Sequence, residues 1–181
     1  MSRPSRIIVL AEDDRHQRFV RQYLYRKGFR RHEIHFGPLS AGRGSAEQWV
    51  RMQYGKHVQT CRERAATAST ELIVVVDADS GTVENRSRQL AKALSNGGQE
   101  TRNETEPIVH LIPRRNIETW ILCLAGQVVD ENADYKQRTG VDEMIKPAAL
   151  EFFTWSRQNA HVPERCIESI HLAIHEIKRL E

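Results

Sequence analysis

The chain lacks the features of several common protein classes. Its 181 residues include only three cysteines, which lie far apart and form no Cys-x-x-Cys pair. This spacing argues against a disulfide framework and a structural zinc site. No apolar run approaches the roughly 20 residues that a membrane span needs, and the apolar stretch near the N-terminus is too short for a signal peptide. We therefore expect a cytoplasmic protein that does not enter the membrane.

The sequence also lacks the motifs of several enzyme classes. It contains no P-loop, no dinucleotide fingerprint and no nucleophile elbow. Any activity driven by nucleotide hydrolysis would therefore need another subunit. What it has is an uneven charge. Residues 1–64 carry 14 Lys/Arg and 6 Asp/Glu, whereas residues 65–181 carry 13 and 18. This asymmetry favours a polyanionic partner, although solvated helix faces explain it about as well.

The hydrophobic pattern predicts an α/β fold, with a mostly parallel, Rossmann-like sheet of about four strands flanked by helices. Short β-branched runs predict strands at 6–10, 72–76 and 108–112, and a weaker one at 33–36. Helical spacing predicts helices from 14 to 28, 46 to 68, 83 to 94, 117 onward and 163 to 180. Between 129 and 147 the pattern weakens. We expect an α/β domain over 1–126 and a helical C-terminal extension over 127–181 packed on it.

Acidic residues follow the predicted strands. Glu12 follows the first strand, Asp77 and Asp79 follow the strand at 72–76, and Glu118 lies a few residues past the last strand. The carboxyl ends of parallel strands share one edge of a sheet, and an extended Asp-x-Asp directs both side chains to one face. Converging carboxylates repel each other unless a cation lies between them. Mg²⁺ or Mn²⁺ is the natural occupant of such an oxygen-ligand site, although acids also commonly cap helices.

Three arginines are candidate ligands for phosphate or nucleic acid. Arg114 and Arg115 precede the helix that starts near residue 117, and Arg43 lies between two glycines. The guanidinium fork matches phosphate oxygens, and free N–H groups of a glycine-rich loop can approach phosphates. Pairing with Glu118 or with the other acids is an equal alternative for Arg114 and Arg115. Most loops of the Gly-Arg-Gly kind are only flexible.

Three segments together resemble a TOPRIM domain, the fold shared by topoisomerases, primases and OLD-family nucleases. They are LAEDD at 10–14, IVVVDAD at 73–79 and IPRRNIETW at 112–120. The closer resemblance is to small, stand-alone TOPRIM-like proteins of prokaryotes, some of which are found in anti-phage systems. In one departure, Asp13 stands where the family usually has a glycine, and it either adds a ligand or perturbs the site.

The resemblance implies a divalent-metal-dependent nuclease that acts on DNA or RNA. In such domains the first glutamate, here Glu12, is a general acid/base or metal ligand. Asp77 and Asp79 correspond to the metal-ligating pair, so these three residues are the candidate catalytic residues, and Glu118 is an auxiliary metal ligand. The resemblance also implies a role in defence against phage and an ATPase partner subunit. Association of the chain with itself is a further expectation.

Two other functions stay open. In the first, the acids are structural caps in a non-catalytic nucleic-acid-binding or regulatory subunit, with the last helix as a docking surface. The first 30 residues also resemble a response-regulator receiver domain, in which acids bind Mg²⁺ and a further aspartate accepts a phosphoryl group. That aspartate is expected roughly 40 residues after the first acids. Here the next acid at a strand end is Asp77, and the usual downstream Lys-Pro is missing.

Overall fold

The computed structural model describes residues 6–41, 45–65 and 69–180. Within these ranges four strands form one parallel sheet in the order β2-β1-β3-β4. The strands are β1 (Arg6–Ala11), β2 (Ile34–Phe36), β3 (Thr70–Val75) and β4 (Ile108–Leu111). The helices are α1 (Asp14–Arg26), α2 (Ala46–Arg64), α3 (Val83–Asn96), α4 (Ile117–Leu124), α5 (Val141–Ser156) and α6 (Glu168–Ile177). The predicted Rossmann-like α/β fold is therefore confirmed.

Both faces of the sheet are buried, which explains why its strands are apolar at nearly every position. Alternate residues of β1, β3 and β4 pack with α1, α4, α5 and α6 in one core. The intervening residues pack with α2 and α3 in a second core on the opposite face. Strand side chains alternate between faces, so a strand covered by both cores cannot show an apolar/polar alternation.

The pairing of the central strands fixes the geometry of the carboxyl edge. β1 and β3 are neighbours, and Ala11 is the register partner of Val75. One further hydrogen bond, from the main-chain N–H of Glu12 to the Val75 carbonyl at 3.1 Å, extends the ladder past the strand. Residues that follow β1 and β3 therefore leave the sheet side by side. The N-termini of α1, α3 and α4 lie at the same edge, since each helix follows the end of a strand.

The C-terminal part differs from the sequence-based expectation. Helix α5 was not predicted, and it buries Val141, Ala149 and Phe152 against α1 and α4. Pro147 and small alanines interrupt its apolar stripe, so its periodicity is weak in the sequence. The predicted helix over 163–180 is shorter, because α6 begins only at Glu168 and a separate 3₁₀ turn follows it.

The outer edge of β4 is covered by charged side chains. Arg102 donates to the carbonyl oxygen of Ile108 at 2.7 Å, and the main-chain N–H of His110 donates to Glu176 Oε2 at 3.2 Å. Arg102 and Glu176 are themselves paired at 2.6 Å. The edge strand is thereby kept from pairing with another chain on this side.

Among the described residues, no helix combines the length and the apolar character that crossing a lipid bilayer requires.

Glu71 of β3 is a buried carboxylate far from the carboxyl edge, and it makes stability depend on pH. Burial raises the pKa of Glu71 to about 7, against the opposing charge of Lys27. A carboxyl group whose pKa is higher in the folded state than in the unfolded state favours the folded state at low pH, where it is protonated. This contribution to stability is fully present below the unfolded-state pKa and is lost as the pH rises through about 7, because the buried group must then ionise. We expect Glu71→Gln to be more stable than the wild type at pH 8 by roughly 2–3 kcal/mol, and this advantage to disappear near pH 4.

Urea unfolding at the two pH values measures this difference. Glu63→Gln, a change at an exposed position of α2, is the matched control and should show no such pH-dependent gain. A gain in unfolding free energy from Glu71→Gln that is the same at both pH values would contradict a raised pKa of Glu71 in the folded state.

Candidate metal centre

Three side chains converge where β1 and β3 end. Glu12, His16 and Asp77 each offer one ligand atom, and these atoms all lie within 4.8 Å of one another. His16 is 0% and Asp77 is 1% exposed, whereas Glu12 is half-buried. Glu12 follows β1, His16 lies in the first turn of α1, and Asp77 follows β3. The fold therefore brings two of the predicted acids together and adds a histidine.

The carboxylates of Glu12 and Asp77 are held close by the main chain. The backbone N–H of Asp77 donates to Glu12 Oε2 at 3.0 Å. Burial and the charge of Asp77 raise the pKa of Glu12 to about 7. Burial also raises the pKa of Asp77. Burial opposes the ionisation of both acids, and the charge of Asp77 further opposes that of Glu12, as expected for a cation site.

His16 is the residue that the sequence analysis missed. Its Nδ1 lies 2.7 Å from Asp13 Oδ1 and its Nε2 lies 2.9 Å from Asp77 Oδ1. Burial lowers the pKa of His16, but the charge of Asp77 and the hydrogen bonds to Asp13 and Asp77 outweigh it and raise that pKa well above the usual value. Because carboxylate oxygens only accept, a protonated His16 ring would donate from both nitrogens, balance buried negative charge and orient Asp77, with no lone pair left to bind a metal. The Asp-x-x-His spacing at the start of α1 was the available signal.

Asp13 has a defined structural role. It is the N-cap of α1, and its Oδ1 accepts the main-chain N–H of His16 at 3.0 Å. The same oxygen accepts from the His16 ring. Burial raises the pKa of Asp13, but the interactions with His16 dominate and lower it overall. Asp13 therefore holds His16 in place and lies outside the three-residue cluster.

Asp79 does not lie within the three-residue cluster. Its φ of +54° is in the left-handed region, which aspartate tolerates better than most residues. The chain therefore turns, and the extended Asp-x-Asp geometry expected from the sequence does not form. Asp79 Oδ2 accepts from Arg86 at 3.2 Å, and Asp79 Oδ1 accepts from Lys136 at 3.3 Å. This aspartate is a partly exposed carboxylate at the rim of the site.

Glu118, the predicted auxiliary ligand, is not among the three side chains whose ligand atoms converge, but it supplies a test of whether a cation fits. This residue of α4 is 3% exposed, and its Oε1 is paired with Arg15. Its Oε2 is buried and has no hydrogen-bond partner among the described residues. The charge of Glu118 also opposes ionisation of Asp77. A cation would satisfy such an oxygen, and carboxylate oxygens are the ligands that Mg²⁺ and Mn²⁺ prefer.

Two cations at the site were also missed. Lys136, from the segment between α4 and α5, is within electrostatic reach of Asp77, Asp79 and Glu12, whose charges raise its pKa despite partial burial. Arg86 of α3 donates from Nε to the carbonyl oxygen of Asp77 at 2.8 Å. No motif surrounds Lys136, so no signal in one sequence could have singled it out.

The candidate phosphate-binding arginines differ in where they lie relative to the site. Arg114 donates to the carbonyl oxygen of Gly81, in the turn that follows Asp79, so it reaches the rim of the site. Arg115 pairs with Asp134 at 3.2 Å. Neither has an ion pair with Glu118 within the described part of the chain. Arg43 lies outside the described residues.

Comparisons with protein families, with curated proteins and with solved structures found no significant match to this chain. The fold and the site together define a Rossmann-like α/β protein with a buried Glu-His-Asp cluster at the carboxyl edge of its sheet. The resemblance to a TOPRIM domain stays a prediction.

Proposed function

We propose that this protein is a divalent-metal-dependent nuclease that hydrolyses phosphodiester bonds of DNA or RNA. The observation that carries the proposal is the convergence of Glu12, His16 and Asp77; the buried, unpartnered Oε2 of Glu118 adds to it. Clusters of buried groups with strongly perturbed pKa values are concentrated at functional sites. The basic first third of the chain supports a polyanionic substrate.

Under this proposal Glu12 and Asp77 hold Mg²⁺ or Mn²⁺, with Glu118 as a supporting ligand. When bound, the ion supplies a water of lowered pKa and neutralises charge on the phosphate. His16 fixes the orientation of Asp77 through the 2.9 Å contact of its Nε2 with Asp77 Oδ1. Asp79 holds Lys136 at 3.3 Å, from where the ammonium group can stabilise additional negative charge on a phosphate.

The proposal is tested with the purified full chain on plasmid DNA, single-stranded DNA and tRNA. Cleavage is measured with Mg²⁺, with Mn²⁺ and with EDTA. We expect cleavage that requires a divalent ion and is lost in Glu12→Gln. Glu164→Gln, at an exposed position remote in sequence from the site, serves as the matched control. Binding of nucleic acid without cleavage under either metal would overturn the proposal and favour a non-catalytic subunit.

Lys136 is expected to act on the bound phosphate and not to bind the metal. Lys136→Gln should lower kcat about 100-fold, the usual effect of removing one preorganised group that stabilises developing charge. The affinity for Mn²⁺ should not fall, because the ammonium is not a ligand. Lys178→Gln, an exposed lysine at the C-terminal end, is the control. An unchanged kcat, or a parallel loss of Mn²⁺ affinity, would contradict this role.

The role in phage defence and the ATPase partner are implied by the sequence resemblance alone, and both stay predictions.

A further inference from the structure

The exposed face of α1 carries an aromatic residue surrounded by positive charge. Arg18, Arg21 and Tyr25 follow Asp14 at helical spacing, so they form one stripe along the helix. Residues 15–31 include seven Arg/Lys and no Asp/Glu. Tyr25 is 40% exposed, which makes it one of the few large apolar side chains on the described surface.

Cations on both sides of Tyr25 are available to a ligand. We define the Tyr25 surface as Arg21, Tyr25, Arg26, Arg31 and Lys146. Within the described ranges, none of its four cations forms an ion pair with a carboxylate of the protein. Two of them instead lie over aromatic rings, Arg21 at 4.6 Å from Phe36 and Arg26 at 5.8 Å from Phe153. Most other arginines near the candidate site are paired with acids, as Arg15 is.

The protein surface has a depression on each side of the Tyr25 side chain. A depression of about 570 Å³ lies between α1 and α5 and is lined by Tyr25, Arg26 and Lys146 together with the apolar Leu150. A second depression, of about 400 Å³, is lined by Tyr25 with Arg21 and Arg31. Tyr25 therefore lies between two depressions, each of which is lined by positively charged side chains.

We propose that the Tyr25 surface binds single-stranded nucleic acid, with an unpaired base stacked on Tyr25 and phosphates held by Arg21, Arg26 and Arg31. The inference rests on the proposed nuclease function and places its substrate. An exposed aromatic ring flanked by cations is the usual platform for single strands, since an unpaired base offers its face whatever its sequence. A base inside a duplex cannot stack in this way.

The Tyr25 surface and the candidate metal centre lie at opposite ends of α1. Tyr25 lies nine positions after His16 in α1, which corresponds to a rise of about 14 Å at about 1.5 Å per residue. A duplex strand advances about 3.4 Å per nucleotide along the helix axis and an unstacked single strand advances further, so at most about four nucleotides span this distance. A strand bound at Tyr25 thus reaches the metal centre at one end of the same helix.

Binding is measured by fluorescence anisotropy with a short fluorescein-labelled oligothymidine, in EDTA and at several salt concentrations. We expect the double variant Arg21→Gln/Arg31→Gln to weaken binding about 5-fold for each lost phosphate contact at about 0.1 M salt, and to lower the salt slope by about 0.7 for each contact. Tyr25→Leu should weaken binding by roughly 5- to 150-fold, and Tyr25→Phe should retain it.

The matched control is Lys56→Gln/Lys92→Gln, which removes two charges from exposed positions of α2 and α3 on the opposite face of the sheet. An equal loss of binding in this control would overturn the proposal, as would wild-type affinity in Tyr25→Leu. Polyglutamate or a DNA duplex bound as tightly as the oligothymidine would overturn it as well. EDTA removes the metal, so binding is measured independently of cleavage. If the oligothymidine binds at the Tyr25 surface but the protein shows no cleavage activity with a metal, only the nuclease function is refuted. If the protein cleaves but the variants bind as tightly as the wild type, only the Tyr25 surface is refuted.

Discussion

Replacing Asp77 with asparagine is expected to abolish metal-dependent cleavage while the chain stays folded. The loss should be at least about 10³-fold, since a ligating carboxylate contributes several kcal/mol through the charge it holds in place. Asparagine has the same shape and can still accept the hydrogen bond that His16 Nε2 donates at 2.9 Å. The measurements are the cleavage rate in Mn²⁺, the Mn²⁺ affinity and the midpoint of thermal unfolding.

Asp14→Asn is the matched control for this variant. Asp14 is an exposed acid in the first turn of α1, close in sequence to Glu12 but outside the cluster. Its substitution should leave both Mn²⁺ affinity and cleavage near the wild-type values. Loss of cleavage in Asp77→Asn with undiminished Mn²⁺ affinity would show that the ion binds elsewhere.

Replacing His16 with leucine is expected to destabilise the fold by about 3–5 kcal/mol. This is the usual effect of removing one partner of a buried ion pair, because the other charge is left without compensation. Here the uncompensated group is Asp77, which is 1% exposed. Urea unfolding at neutral pH in the absence of divalent ions measures the change in unfolding free energy. An unchanged slope of that free energy against urea concentration shows that the variant exposes the same surface on unfolding and so keeps the compact native state.

A double-mutant cycle separates this effect from a simple loss of packing. In His16→Leu/Asp77→Asn the stranded charge is gone, so we expect the double variant to regain a large part of the lost stability. Simple addition of the two single-variant effects would contradict the assignment of His16 as the internal counter-ion of Asp77.

The sheet and the approach of two acids could be predicted because both follow from short-range patterns. The β-branched runs at β1 and β3 indicate strands buried on both faces. Parallel strands place their carboxyl ends at one edge, so Glu12 and Asp77 had to lie near each other once β1 and β3 paired in the observed register.

The remainder of the site depends on geometry that a pattern does not encode. Asp79 leaves the cluster because the chain turns at a φ of +54°, where the two-residue alternation of a strand no longer applies. His16 enters it because Asp13 caps α1 and directs the imidazole toward Asp77. Lys136 arrives from a segment without periodic apolar residues. In α5, Pro147 masks the helical pattern of a segment that packs on α1.

The claim on which the account depends is that Glu12 and Asp77 share one divalent cation. The most direct test is the anomalous diffraction of crystals soaked in Mn²⁺. We predict a single peak at the carboxyl edge of the sheet, about 2.1 Å from a carboxylate oxygen of each residue. A cluster without such a peak, with His16 still bridging Asp13 and Asp77 as the only cation, would contradict it.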